Sequence, residues 1–121
     1  MFQQPGEPDH RRQIRDSVAD FASREAGSAQ VRAALAAPGG FSRERWKAMA
    51  DAGWTGLSLS EEWGGLGLEH GDVAALHSEI GRAAMPEPMV SIALLCARAL
   101  ALGDNAPLAR DRLPGLLYGA V

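Results

Sequence analysis

The chain has 121 residues, which suits one domain with a hydrophobic core, and 46% of its residues are hydrophobic. The formal net charge is −3, and no basic face of the kind that binds nucleic acid is evident, so we expect no nucleic-acid partner. The longest apolar run, residues 89–102, is interrupted by Arg98 and is shorter than the roughly 20 residues that cross a membrane. We therefore expect no membrane insertion and, by default, a cytoplasmic location.

The reactive side chains match no recognised catalytic or metal-binding pattern. Cys96 is the single cysteine, so it cannot form a disulfide within the chain, and its apolar surroundings predict a buried structural thiol. His10, His70 and His77 do not follow a ligand spacing such as His-Glu-x-x-His. We assign no catalytic, cofactor-binding or metal-binding residue among these side chains.

The first part of the sequence predicts a lead-in and two helices. Residues 1–8 resemble a flexible lead-in, so a single domain is expected over residues 9–121. A first helix is predicted over residues 9–25, where apolar side chains recur at helical spacing, and a second over residues 28–37. The apolar stripe of the first helix contains Ile14, Val18, Phe21 and Ala22.

Four more helices are predicted along the rest of the chain. Ser42 can cap the next helix, because its hydroxyl can accept a hydrogen bond from an early backbone N–H, and Gly53 can follow its last turn. Further helices are predicted over residues 72–84, 88–102 and 106–112, the last followed by a turn-like Leu-Pro-Gly sequence. Because residues 88–102 are apolar almost all round, we expect neighbours on most sides of that helix.

No convincing strand is predicted. The expected fold is therefore all-α, an orthogonal bundle of five or six helices with an ordered loop over residues 53–72. This loop holds six glycines and two tryptophans, so glycine allows sharp reversals while the large side chains pack against helices. The residues expected to be buried there or to lie at an interface are Trp54, Leu57, Leu59, Trp63, Leu66 and Leu68.

The loop does not match a phosphate-binding motif or a carboxylate pair. Residues 64–67, Gly-Gly-Leu-Gly, lack the lysine and the preceding strand of known phosphate-binding loops. Glu61 and Glu62 are adjacent on a turn and point in different directions. We interpret them as first-turn carboxylates that face the positive end of the peptide dipoles.

Three segments in a fixed order, GWTGLSL, SEEWGGLGL and HSEIGRA, resemble the N-terminal helical domain of acyl-CoA dehydrogenases. RDSVADFASREA resembles the opening helix of that family, and GDNAPLARDRLPGLLYG is similar to the stretch that precedes its β domain. The resemblance covers nearly the whole chain from Arg11 onward. Ser60 and Trp63 stand where the family usually has proline and tyrosine.

The resemblance implies an FAD-dependent enzyme that removes two hydrogens from adjacent carbons of an acyl-CoA. In that family a carboxylate takes the α-proton and a hydride passes from the β-carbon to the flavin. The base and most flavin contacts would then lie beyond residue 121, so this chain alone would be inactive and would not hold FAD. The implied partners are the acyl-CoA substrate, an electron-transfer flavoprotein and further subunits of a homo- or hetero-oligomer.

The resemblance also places the start of the helix that begins at Pro88 near the acyl-chain channel. Met89, Val90, Ala93 and Leu94 lie on one strip of that helix and are our substrate-pocket candidates, because acyl tails need mostly apolar walls. Ordinary core residues are an equally open interpretation of these four positions.

Other functions stay open. Acyl-CoA oxidases and flavin-dependent monooxygenases resemble dehydrogenases in this domain and differ from them downstream. A non-catalytic helical interaction module, or a silent partner subunit, is a second class of interpretation.

Overall fold

The computed structural model describes residues 6–120, and all regular structure in this range is helical, which confirms the all-α class. A π-helical segment, Met89–Cys96, leads directly into a short α-helix. Two 3-10 turns, Trp54–Gly56 and Glu61–Trp63, lie in the glycine-rich loop. The α-helices are α1 (Asp9–Glu25), α2 (Ser28–Ala36), α3 (Arg43–Asp51), α4 (His70–Arg82), α5 (Ala97–Leu102) and α6 (Ala106–Leu117).

These elements form two compact units. The first contains α1, α2 and α4. The second contains α3, residues 53–69 (hereafter the Gly/Trp loop), the π-helical segment, α5 and α6. Residues 1–5 of the predicted lead-in lie outside the described residues, and the proposed domain boundary at residue 9 stays a prediction.

In the first unit, α1 packs along α4, and each helix buries one apolar stripe against the other. The predicted span of α1 is confirmed, and of its predicted apolar stripe Val18 and Phe21 are buried while Ile14 and Ala22 are half-buried. Burial of these side chains supplies the main favourable term for the pairing, at about 25 cal/mol per Å² of apolar surface. The buried apolar residues are Val18 and Phe21 on α1 and Val73, Ala75, Leu76 and Ile80 on α4.

A buried carboxylate, Asp72, also joins these two helices. Its side chain is 1% exposed, and Oδ1 accepts a hydrogen bond from Arg11 Nε at 2.9 Å, with His10 Nε2 at the same distance. Gly71 makes this geometry possible, because a Cβ there would lie 2.5 Å from the guanidinium carbon of Arg11. The missing side chain therefore allows the guanidinium to lie against the first turn of α4.

A second ion-paired group in this unit corrects a prediction. The spacing of Glu79 and Arg82 predicts a pair at the surface, but Glu79 is buried and Arg82 is exposed. Instead, Glu79 Oε1 lies 3.6 Å from Arg15 Nη1, and Arg15 Nε donates to Glu7 Oε1 at 2.8 Å. The prediction was wrong because it considered only neighbours on the same helix.

The second unit has its own apolar cluster, in which α5 and α6 pack together. Helix α6 continues to Leu117, past the predicted end at residue 112, even though it contains Pro114. Burial explains the difference, because Ala109, Leu113 and Leu116 lie at helical spacing on the covered face and outweigh the helix-breaking tendency of Pro-Gly. The buried members of this cluster are Leu59, Ala97, Ala109, Leu113 and Leu116.

The ends of α3 agree with the sequence analysis. Ser42 has an extended backbone, and its hydroxyl accepts a hydrogen bond from the Arg45 N–H at 3.1 Å. Gly53 has φ of 85°, a left-handed conformation that glycine adopts without steric cost. The predicted N-cap and C-terminal glycine are therefore confirmed.

Two glycines of α4 provide a matched test of the packing around Asp72. We predict that Gly71→Ala lowers the free energy of unfolding by about 1–2 kcal/mol, because the new methyl group displaces Arg11 from the buried carboxylate. Gly81→Ala is the control, since a Cβ there has no neighbour within 4 Å. It should raise the free energy of unfolding by up to about 1 kcal/mol. Chemical denaturation measures both, and equal effects would contradict the role given to Gly71.

Candidate functional site

The segment that carries the pocket candidates is wider than an α-helix. An α-helix was predicted over residues 88–102, but Met89–Cys96 is π-helical and the α-helical part begins at Ala97. At the junction the Ala97 N–H bonds to the carbonyl of Ile92, five residues back. Because π-helical turns are rare and recur at functional sites, this feature singles the segment out.

The structure divides the four candidates between two neighbouring lines along the segment. Met89 and Ala93 are buried, and they continue into Ala97, which is also buried. Leu94 is half-buried and Val90 is 61% exposed, so these two lie beside the buried line and remain accessible. The arrangement brings Val90 and Leu94 to an accessible apolar edge and puts Met89 and Ala93 beneath it.

Two predictions for this segment were wrong. Neighbours were expected on most sides, but one face stays open in the described chain, and Cys96, expected to be buried, is exposed. Apolar composition alone cannot distinguish a central helix from one whose outer face awaits another surface. The large apolar side chains exposed on this face and on α5 are Val90, Leu95 and Leu102.

The start of the π-helical segment is held by a buried carboxylate that sequence reasoning missed. Glu87 is 0% exposed in its side chain, and both of its carboxylate oxygens accept from Arg45 Nη1, at 3.1 and 3.2 Å. The Ser42 N–H donates to the same carboxylate at 3.0 Å. An acid placed between two prolines, before the most apolar run, was the signal that could have identified this anchor.

The Gly/Trp loop folds back on itself through backbone hydrogen bonds. The Leu66 N–H donates to the Gly56 carbonyl at 3.0 Å, and the Leu68 N–H donates to the Leu57 carbonyl at 3.0 Å. The N–H groups of Gly65 and Gly67 likewise donate to backbone carbonyls within the loop. Because these four consecutive amides already have acceptors, the glycine run cannot cradle a phosphate group.

The loop packs through a subset of its large side chains. Trp54, Leu57 and Leu59 are buried as expected, whereas Leu66 is 49% exposed. Thr55 joins the loop to α6, since its hydroxyl donates to the Leu117 carbonyl at 2.8 Å. The other two large side chains of the loop, Trp63 and Leu68, are half-buried.

A shallow groove of about 540 Å³ lies in the second unit beside the half-buried ring of Trp63. Its wall is mixed, with one arginine and one glutamate among apolar side chains. The groove lies on α6 and the second 3-10 turn rather than on the strip of pocket candidates. Its lining residues are Glu62, Trp63, Ala106, Arg110, Leu113 and Pro114.

No helix in residues 6–120 is both long enough and apolar enough to span a membrane. Within the same range, no group of three or more His, Cys, Asp or Glu side chains is arranged to hold a metal ion.

Comparison with known proteins gives consistent matches. The family model for the N-terminal domain of acyl-CoA dehydrogenases matches residues 8–119. A curated relative from Mycobacterium tuberculosis, acyl-CoA dehydrogenase IpdE2, is 36% identical over 72% of this chain. The IpdE2 of Mycolicibacterium smegmatis is 31% identical over 83% of this chain. The chain spans 28% and 32% of the length of these two relatives.

Solved structures agree with the fold. A variant of the Tcur3481-Tcur3483 steroid ACAD matches 92% of this chain with a TM-score of 0.81 and 29% identity. The ChsE4-ChsE5 complex from Mycobacterium tuberculosis matches 98% of this chain with a TM-score of 0.82. Its 20% identity limits that comparison to the fold. The chain covers 30% of each of these two longer chains.

The close approach of Gly65 to Leu59 gives a test of the loop geometry. A Cβ at Gly65 would overlap the Leu59 carbonyl group, which is backbone and cannot swing away. We predict that Gly65→Ala lowers the free energy of unfolding by at least about 2 kcal/mol. Gly115→Ala in α6, where a Cβ meets nothing within 4 Å, should leave stability unchanged or slightly raised. Thermal unfolding measures both, and a well-tolerated Gly65→Ala would contradict the backbone path described.

Proposed function

This chain belongs to the acyl-CoA dehydrogenase family, as a copy of its N-terminal domain, and on that basis we propose that it serves the α,β-dehydrogenation of an acyl-CoA thioester. In this proposal the chain supplies one wall of the acyl-chain pocket. The carboxylate that would take the α-proton, and the residues that would bind the flavin, lie in parts of the protein that the chain, at 28–32% of its relatives' length, does not cover.

The observation that supports the pocket wall is the accessible apolar edge of the π-helical segment. Val90 and Leu94 lie on that edge above the buried Met89 and Ala93, and Glu87 fixes where the segment begins. Pocket walls are mostly apolar and largely preformed, and a segment anchored by a buried ion pair meets both conditions. We propose that the acyl tail runs along this edge.

The family's cofactor is FAD, and the glycine-rich part of this chain does not fit it. The amides of residues 65–68 are engaged with backbone carbonyls, so they cannot bind the flavin pyrophosphate. We therefore propose that FAD is held elsewhere in the full-length protein and that this chain alone does not retain it.

Two further features of the proposal concern the substrate and the subunits. The 29%-identical structure is called a steroid ACAD and carries two protein names, which supports a ring-containing acyl group and a hetero-oligomer for this protein too. Leu95, which is exposed on the open face of the same segment, leaves apolar surface for such a neighbour. By family resemblance, we propose an electron-transfer flavoprotein as electron acceptor and a cytoplasmic location.

Cofactor retention tests whether FAD is held outside this chain, in the rest of the full-length protein. The purified chain of 121 residues should be colourless after desalting, and the protein from the complete reading frame should keep a flavin absorbance that bleaches when acyl-CoA is added. A chain that stays yellow through desalting would overturn the view that it lacks flavin contacts. A full-length protein without bleaching by any acyl-CoA would overturn the dehydrogenase proposal.

A larger side chain at Val90 tests whether this residue lines the acyl-chain pocket. In the full-length protein, we predict that Val90→Trp lowers kcat/KM for a ring-containing acyl-CoA by about tenfold or more and affects a short-chain thioester less. Leu102→Trp is the control, because Leu102 is similarly exposed, at 75%, but lies beyond the proposed edge. Steady-state kinetics measures both. Equal losses for the two variants would contradict the assignment of the wall to Val90 and Leu94.

A further inference from the structure

With one exception, every buried or half-buried arginine in the described chain forms an ion pair with a carboxylate. Each carboxylate partner comes from the same compact unit, and the pairing offsets the cost of removing a cation from water. The exception is Arg98. The paired arginines and their partners are Arg11 with Asp72, Arg12 with Asp9, Arg15 with Glu7, and Arg45 with Glu87.

Arg98 is half-buried in the middle of the most apolar run of the sequence. Its Nη1 donates to the Ser58 hydroxyl at 3.3 Å, a long contact with a neutral acceptor, and it forms no ion pair with a described carboxylate. None of its nitrogen atoms is sealed from solvent without a partner. The guanidinium is therefore oriented by Ser58 while most of its donors stay available to a ligand.

The position of Arg98 connects it with the proposed pocket wall. Residues four apart lie near one another on a helix surface, so Val90, Leu94 and Arg98 form one accessible line beside the buried line. Two aliphatic side chains are followed by one cation at the far end. A ligand that lies along this line would meet apolar surface first and then a guanidinium.

We propose that Arg98 binds a carboxylate carried by the acyl group of the substrate and thereby selects acyl-CoA thioesters with an anionic tail. This inference rests on the proposed function. The planar guanidinium can bind both oxygens of a carboxylate, and partial burial strengthens the attraction relative to open water. Ser58 acts as a positioning residue, because its hydroxyl holds Nη1 and leaves the other donors of the guanidinium for the ligand.

The phosphates of CoA are the other source of negative charge on such a substrate. One arginine neutralises one carboxylate, whereas the several phosphate charges of CoA call for more than one cation. Along the accessible line, Arg98 is the single basic residue from Met89 to Leu102. The carboxylate therefore matches the site better, and free CoA serves as the probe for the alternative.

The test uses the full-length protein and three probes: octanoyl-CoA, its ω-carboxylated counterpart suberyl-CoA, and free CoA. Equilibrium dialysis gives affinities without turnover, and steady-state kinetics gives kcat and KM. We expect Arg98→Gln to weaken suberyl-CoA binding by about 10–100-fold, seen in KM more than in kcat, with less than about twofold change for the other two probes. Arg98→Lys should recover part of the loss, since lysine keeps the positive charge but lacks the planar guanidinium that binds both carboxylate oxygens.

Arg112→Gln is the control, because this arginine is exposed on α6 and away from the accessible line. Equal weakening of all three probes by Arg98→Gln, or wild-type affinity that is no higher for suberyl-CoA than for octanoyl-CoA, would overturn the proposal. A protein that shows the selective binding loss but dehydrogenates neither thioester would overturn the proposed reaction alone. Circular dichroism on each variant separates loss of the site from loss of the fold.

Discussion

The second unit depends on one buried carboxylate, Glu87. Its two oxygens accept from Arg45 and from the Ser42 N–H, so the N-terminus of α3 and the start of the π-helical segment share a single charged anchor. Removing one partner of such a buried pair strands a charge, which commonly costs about 3–5 kcal/mol. The wide helical segment can expose apolar side chains on one face because its entry is fixed by charge and not by apolar packing alone.

The sequence predicted the parts of this fold that are locally encoded. The Ser42 cap, Gly53 and the span of α1 follow from side-chain chemistry and periodicity within a few residues, and each is confirmed. The extension of α6 through Pro114 was not predictable in this way, since it depends on burial of Leu113 and Leu116 by distant elements. Tertiary packing overrides local propensity at such positions.

In the candidate site, too, local features could be predicted from the sequence and features that depend on distant residues could not. An apolar run beginning at residue 89 was visible, but its π-helical form and its open face depend on contacts that no periodicity records. The charged partners of Glu87 and Asp72 lie 42 and 61 residues away in sequence, so neither charge could be paired by inspection. Arg98 was likewise noticeable as an interruption of the apolar run, but only the structure shows that it has no ion pair with a carboxylate in residues 6–120 while other buried arginines do.

The interleaving of the two units has a consequence for how the polypeptide is made. The first unit combines α1 and α2 with α4, and the second encloses α4 in sequence between α3 and α5. During synthesis α1 leaves the ribosome long before α4 is made. The apolar stripe of α1 therefore has no α4 to pack against until the whole Gly/Trp loop has been translated. Neither unit can be completed before a large part of the other has emerged, so apolar surface of the nascent chain stays uncovered for longer than in a chain with two contiguous domains.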